Sequence, residues 1–287
     1  MAEEAWSSSF ILHARGRSYY WQGRGFLSIK TFSSGQAYYN VGKGYYAVDD
    51  TSYLVLNHDQ PYTITIESES PVESFCIFFE PGLAEEVYRS LTTAPQVLID
   101  EPAASTITPL SFFERTYQHD HLLSPALHHL RAIHRLGDRD YTWLYEQFND
   151  LLQRLLQVHF NVYREVETLP AVRAATREEI YRRIYRARDY ASALFDVPIT
   201  LEEMARVANL SPNHFLRMFK QVFQQTPHQF VISKRLEQAQ HLLLHTERSV
   251  TDIGFSVGFT SLGSFSWLFR QRIGISPEGY RRQKGDF

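Results

Sequence analysis

One cysteine in 287 residues excludes an internal disulfide, and Cys76 lies in the apolar run FCIFF, where a buried structural thiol is expected. No apolar run approaches the length of a membrane span. The N-terminal stretch MAEEAWSSSFILHARG carries acidic residues where a secretion signal needs basic ones, so a cytoplasmic protein is expected. A glycine-rich phosphate loop is missing, as is a Ser-His-Asp arrangement in recognisable context, so neither nucleotide-dependent nor triad chemistry has support. Metal chemistry in a β-barrel needs His and carboxylate side chains clustered on adjacent strands. Here His58 stands alone in a turn beside Asp59, and the His-rich group His119, His121, His128, His129 and His134 falls in loop and helix. A solvated or core-edge role is expected for these, and no catalytic residue, metal ligand or cofactor is assigned.

What is present is unevenly distributed. The overall formal charge of −3 hides an acidic half, −9 over Met1 to Pro170, and a basic half, +6 over Ala171 to Phe287. Such asymmetry points to a polyanion-binding module joined to something else, although a solvated basic face produces the same count. From Phe26 to Phe79 short runs alternate with period two and are broken by Gly, Asp, Asn and Pro, predicting a small antiparallel barrel or sandwich. After Pro81 the pattern turns helical. Between Tyr141 and Val162, residues Leu144, Phe148, Leu151, Leu155, Val158 and Val162 recur at spacings of four and three. That seam suits packing on the preceding SPALHHLRAIHR helix and a dimer interface equally well. The polar, Pro-containing stretch ETLPAVRAAT then predicts a linker.

The basic half contains an internal repeat. TLEEMARVANL-SPNHFLRMFKQVFQQTPHQF aligns with SVTDIGFSVGFTSLGSFSWLFRQRIGISPEGY at an offset of 49 residues, becoming 50 after Thr260. Each copy opens on a capping-box pattern, Thr200 with Glu203 and Ser249 with Asp252. Each short helix stops at a residue that tolerates a left-handed turn, Asn209 or Gly258, and a second helix restarts at Ser211 or Ser261. Short helix, tight turn, second helix is the helix-turn-helix plan, over about 200–223 and about 249–273. The bridging HQFVISKRLEQAQHLLLHT predicts a helix roughly 18 residues and about 27 Å long, on the scale of the ~34 Å DNA repeat.

Placing residues at about 100° intervals sorts each second helix. Phe215, Met218 and Phe219 point inward, while Asn213, His214, Arg217, Lys220 and Gln221 turn out. In the second copy Phe265, Leu268 and Phe269 are buried, and Gly263, Ser264, Trp267, Arg270 and Gln271 face outward. Trp267 takes the place of Arg217. Arg suits guanine and Asn suits adenine, so the first copy has the chemistry of direct base readout, and Lys220 suits phosphate. The second copy offers Leu262 and Trp267 for thymine methyls, or Arg270 and Ser264 for phosphate; packing of Trp267 on another protein or on the bridging helix is the competing expectation.

These residues carry a resemblance. ITLEEMA, LSPNHFLRMFK, RLEQAQHLL and GFTSLGSFSWLFRQRIGISPEGYR, with paired Pro227 and Pro277 followed by Phe230 and Tyr280, resemble the DNA-binding domain of the AraC/XylS family of bacterial transcription regulators. The resemblance implies base-reading positions at Asn213, Arg217 and Leu216. The second copy departs from the family's usual polar or basic pattern at Leu262, Gly263 and Trp267. The first half, through YLVLNHDQPYTITI and the helices that follow, resembles the family's cupin-like effector and dimerisation domain.

The expected fold is therefore α+β in two domains. Residues 1–170 form a cupin-like antiparallel β-barrel with following helices, and residues 171–287 form an all-α domain with two helix-turn-helix motifs joined by a bridging helix. The implied protein is a non-enzymatic, sequence-specific regulator that binds double-stranded DNA as a homodimer, contacts RNA polymerase and answers to a small molecule. Aromatic strand residues Tyr38, Tyr46, Tyr53 and Tyr62 are the candidate effector contacts, because aromatic walls with hydroxyl tips suit a sugar or an aromatic metabolite. The alternative is a metal-dependent cupin enzyme fused to a DNA-binding domain.

Overall fold

Seven strands and ten helices are defined among the described residues of the computed structural model, which are 8–94, 96–97, 109–137, 140–170 and 173–282. The chain divides into two compact units, Met1–Arg182 and Arg183–Phe287.

The first unit is organised by one long strand. β1 (Phe10–Gly25), β2 (Ser28–Ser33), β3 (Ala37–Val41), β4 (Gly44–Val48) and β5 (Ser52–Leu56) precede β6 (Gln60–Phe78), and β7 is Thr116–Gln118. β1 lines one edge of β6 throughout, while the other edge pairs first with β3, at Tyr62 to Thr65, and then with β2, at Glu73 to Phe78. Between these halves the register slips: Gly16 faces Val72 but Ser18 faces Glu67, so residues 68–71 bulge out. A bulge bends a strand and increases its twist. β4 pairs with β3 and approaches β2, β5 and β7, closing the antiparallel barrel. Its interior is apolar and aromatic, built from Phe32, Tyr39, Val41, Tyr46, Leu54, Leu56, Tyr62, Ile64 and Cys76. Cys76 is buried and free, as a structural thiol should be, and burial pushes its pKa up.

Two features differ from the strand pattern read in the sequence. YTITI and ESFCIFF are one strand, β6, rather than two. β1 is also a strand, although both of its faces carry polar residues; no residue of it is buried, so no alternation marks it.

Helices α1 (Leu83–Thr92), α2 (Ser124–His134) and α3 (Tyr141–Glu167) follow, α3 packing on α1 and α2. The seam of α3 is used inside the unit. Phe148, Leu151, Leu155, Val158 and Val162 are buried in the single chain, Leu144 is half-buried, and Phe148 meets Phe79 edge-on at 6.2 Å. Five of the six side chains are thus covered within their own unit, the intrachain packing that this seam suited as well as a dimer. Of the expected linker, Leu169 is buried and the next helix, α4 (Ala174–Ala193), begins after it. The division between the units falls inside α4.

The second unit contains α5 (Leu201–Val207), α6 (Pro212–Phe223), α7 (Pro227–His245), α8 (Val250–Ser256), α9 (Leu262–Ile273) and α10 (Pro277–Arg282). A ring ladder of Phe215, Phe219, Phe223 and Phe230 holds α6 to α7, with Tyr185 against Phe223 at 5.1 Å. The second core gathers Leu236, Ala239, Leu243, Ile253, Val257, Phe265 and Phe269. Burying such side chains, at about 1.5–3 kcal/mol each, is what makes these short helices stable.

Candidate nucleic-acid interface

The two helix-turn-helix copies share the bonds of their turns and of their second-helix caps. In the first, Asn209 adopts φ 51° and the Leu210 amide donates to the Ala205 carbonyl at 2.9 Å. In the second, Gly258 adopts φ 91° and the Phe259 amide donates to the Gly254 carbonyl at 3.0 Å. Both are helix ends closed by a left-handed residue. Gly258 is constrained further, because a Cβ there would lie 2.5 Å from the Asp196 carbonyl oxygen. Ser211 Oγ accepts from the His214 amide at 3.4 Å, and Ser261 Oγ from the Ser264 amide at 3.2 Å, starting α6 and α9. Thr200 and Glu203 form the full reciprocal capping box. The Ser249–Asp252 pair does not: Ser249 Oγ accepts from the Asp252 amide, but the Asp252 carboxylate receives the Ser249 hydroxyl at 2.6 Å rather than the backbone amide. Asp is one methylene shorter than Glu.

These anchors set which side chains face out. In α6, Phe215, Met218 and Phe219 are buried; Asn213, Arg217, Lys220 and Gln221 are exposed, and His214 is half-buried. In α9, Phe265 and Phe269 are buried, and Leu262, Gly263, Ser264, Trp267, Arg270 and Gln271 are exposed. Leu216 departs from this pattern. It is half-buried and lines a cleft of about 430 Å³ with Leu201, Met204, Val231 and Ile232. Trp267 is 65% exposed. Arg217, Lys220 and Arg270 form no hydrogen bond or ion pair among the described residues, so their charges are unneutralised by the protein. Such cations at a helix surface suit phosphate and guanine edges.

What sets α6 and α9 apart is α7, whose 19 residues span about 28 Å at 1.5 Å per residue. Its Arg235 was missed in sequence reasoning as a positioning residue. The guanidinium donates from Nε to the Phe195 carbonyl at 2.7 Å, from Nη1 to the Gly258 carbonyl at 2.6 Å and from Nη2 to the Val197 carbonyl at 3.1 Å. It thereby fastens the turn of the second motif to the bridging helix and to the segment after α4. In sequence Arg235 stands beside Lys234 and near Glu237 in a mixed polar stretch, and no local pattern there signals three carbonyl partners.

The candidate effector tyrosines do not converge. Tyr46 and Tyr62 lie in the barrel interior beside Tyr39, whose ring is 5.8 Å from that of Tyr62. Tyr53 lies on the other face of its sheet, stacked on Tyr117 at 5.2 Å and donating to Asp120 at 2.9 Å. Tyr38 is half-buried and stacked on Tyr45 at 5.6 Å, outside the core cluster. Adjacent strand residues point to opposite faces, so Tyr39 is turned inward where Tyr38 is not. Among the described residues, no three His, Cys, Asp or Glu side chains gather as a metal site, and no helix is long and apolar enough to cross a membrane. His119 bonds to Ser124 Oγ at 2.9 Å, and His58 stacks on Phe26.

Comparison with known proteins agrees with this geometry. A family profile described as a helix-turn-helix domain matches residues 204–283, both motifs and the bridging helix. The probable transcriptional regulator LumQ of Photobacterium leiognathi is 25% identical over 244 residues, 81% of this chain and 93% of that protein. Residues 204–283 are thus similar to the helix-turn-helix domains of AraC-type regulators. The transcriptional activator RhaS of Klebsiella pneumoniae is 40% identical to this chain over 88 residues, 31% of this chain and 32% of that one. Other curated relatives are likewise matched over less than half of their own length. Among solved structures, a transcriptional regulator with an AraC-type DNA-binding domain from Chromobacterium violaceum is 28% identical, covering 36% of this chain and 93% of that one with a TM-score of 0.35.

Proposed function

We propose that this protein is an AraC/XylS-family, sequence-specific transcription regulator whose two recognition helices divide the work unequally. α6 reads bases through Asn213 and Arg217, with Lys220 on phosphate. α9 contributes Arg270 and Ser264 to the backbone, and Leu262 and Trp267 to thymine methyls and sugar. The observation that carries the proposal is the pair of equivalent capped helices, joined through the 19-residue α7, each turning unpaired polar or cationic side chains outward. Relatives named as regulators and activators support it. The acidic first unit binds a small-molecule effector and alters DNA occupancy through its differential affinity for two states. Homodimerisation and contact with RNA polymerase belong to the same proposal, and a dimer uses residues other than the α3 seam.

Genome-wide mapping of bound DNA supplies the site. Anisotropy titrations then follow with about 5 and about 10 base pairs inserted between the stretches contacted by α6 and α9. Both insertions should abolish the joint contribution, because a rigid helix fixes the separation within one subunit. Unchanged affinity on either insertion overturns two-helix reading. Stoichiometric metal in the purified protein would favour the cupin-enzyme alternative.

A further inference from the structure

The solvent face of the bridging helix carries two imidazoles placed as a pair. Leu236, Ala239 and Leu243 turn one side of α7 into the second core. His241 and His245 each lie about 160° round the helix from Leu243, and both are exposed. Their rings stack with centroids 4.3 Å apart and planes inclined by 25°. Residues four apart on a helix are surface neighbours, so the pair needs no distant element to assemble it.

The second ring also has its tautomer set. His245 Nδ1 lies 2.8 Å from the His241 carbonyl oxygen, and a carbonyl only accepts, so Nδ1 carries the hydrogen and Nε2 keeps its lone pair. This is how a metal-binding histidine is held: one ring nitrogen donates to a backbone carbonyl and orients the other toward the ion. The His241 ring makes no hydrogen bond among the described residues, so nothing holds it back from turning its own nitrogen to the same point. Glu237 lies one turn earlier on this face, but its carboxylate is taken by Lys234 Nζ at 2.7 Å. The ligand set is therefore two imidazoles.

We propose that His241 and His245 form a surface site for one divalent transition-metal ion, copper, nickel or zinc, which clamps the last turn of the bridging helix. Imidazole suits these ions, whereas Mg2+ and Ca2+ call for oxygen ligands. Two histidines at i and i+4 on one helix face are a known way of presenting two nitrogens to one ion, each at about 2.0–2.1 Å, and water fills the remaining positions. With fixed nitrogen donors Cu2+ binds more tightly than Ni2+ or Zn2+. The position gives the site its consequence. His245 is the last residue of α7, the Thr246 amide and hydroxyl both donate to the Leu242 carbonyl, and the second motif opens at its N-cap Ser249. The last carbonyls of a helix lack intrahelical partners, so its end opens readily. An ion tying residue 241 to residue 245 opposes that opening where the chain enters the second motif. The site depends on neither the DNA-reading nor the effector proposal.

The test uses the full chain without a polyhistidine tag, stripped of metal with a chelator and titrated calorimetrically with Cu2+, Ni2+ and Zn2+, with Mg2+ as the hard-ion control. The tightest class should be one ion per chain, with Cu2+ the strongest and Mg2+ silent. Both side chains are exposed, so His241→Ala and His245→Ala should fold, and each should weaken binding about 100-fold by leaving one tethered donor of two. Hydrogen exchange reads the clamp. With the ion at about 100 times its Kd, peptides covering 238–248 should exchange roughly 100-fold more slowly in the unaltered chain and at an unchanged rate in either variant. Full-strength binding by either variant, equal affinity for Mg2+, or unchanged exchange in the saturated protein overturns the proposal. If the variant lacking both imidazoles holds as much metal as the unaltered chain, the ion sits elsewhere and the proposal fails.

Discussion

Replacing Arg235 with Met keeps the aliphatic stem of the side chain and removes three charge-assisted hydrogen bonds, to the carbonyls of Phe195, Val197 and Gly258. Bonds of this kind contribute about 1.5–3 kcal/mol each. They share one guanidinium, and the Val197 bond is exposed, so they do not add; a loss of about 3 kcal/mol is expected. That corresponds to roughly 100-fold in an opening equilibrium. Because the Gly258 turn is the element fastened, the loss should appear locally. Hydrogen exchange followed by mass spectrometry should show peptides from 249–273 exchanging about 100-fold faster, with barrel strands β2 and β6 unchanged. Arg235→Lys should recover part of the protection, since an ammonium can hold one or two carbonyls but not three in the planar arrangement. DNA affinity should fall further on a site contacted by both helices than on one contacted by α6 alone. Exchange in 249–273 within threefold of the unaltered protein would refute the positioning role, a threshold of about 0.7 kcal/mol.

Arg217→Ala should cost about 1–3 kcal/mol of specific DNA binding and relax preference at one base pair; an unchanged selected site counts against base readout. Trp267→Ala should weaken specific binding more than non-specific binding, and equal losses on both would reject a reading role. His159 titrates in the first unit. Burial, reinforced by the nearby Arg182 charge, draws it down to about 4 from an ordinary value near 6.5, so the folded unit keeps it neutral. Between pH 6.5 and 4 the unfolded chain binds the extra proton, and stability should fall with pH by up to about 3 kcal/mol, this group adding nothing further below pH 4. Urea titrations of the protein and of His159→Gln across that window should differ in slope; parallel curves would remove His159 as the cause.

The helical half was legible because each of its signals is local. N-caps at Thr200, Ser211, Ser249 and Ser261, left-handed stops at Asn209 and Gly258, and a Phe pair four apart all lie within one or two turns of the residues they organise. The phase of α6 and α9 follows from them, and so does the outward set containing Arg217 and Trp267. The barrel half was less legible. β2 is buried on both faces, with Thr31 accepting from Arg131 of α2 at 2.6 Å on the outer one, so its apolar pattern does not reveal that Lys30 points inward. β1 has the opposite difficulty, exposure on both faces, and is a strand only because β6 is there to pair with it. The α3 seam had two equivalent solutions in sequence, and packing on α1 and α2 chose between them.

By itself, then, the sequence determined the repeat, the two motifs, the bridging length and the outward faces of both recognition helices, because helical geometry converts spacing directly into direction. Only the tertiary structure decided that the α3 heptads are core, that Leu216 lines a cleft, and that Arg235 fastens the second motif. It alone placed Lys30 inside the barrel, beside Phe78 and Tyr62. Each of these depends on partners distant in the chain, whose approach is set by packing and strand register, and no local spacing encodes it.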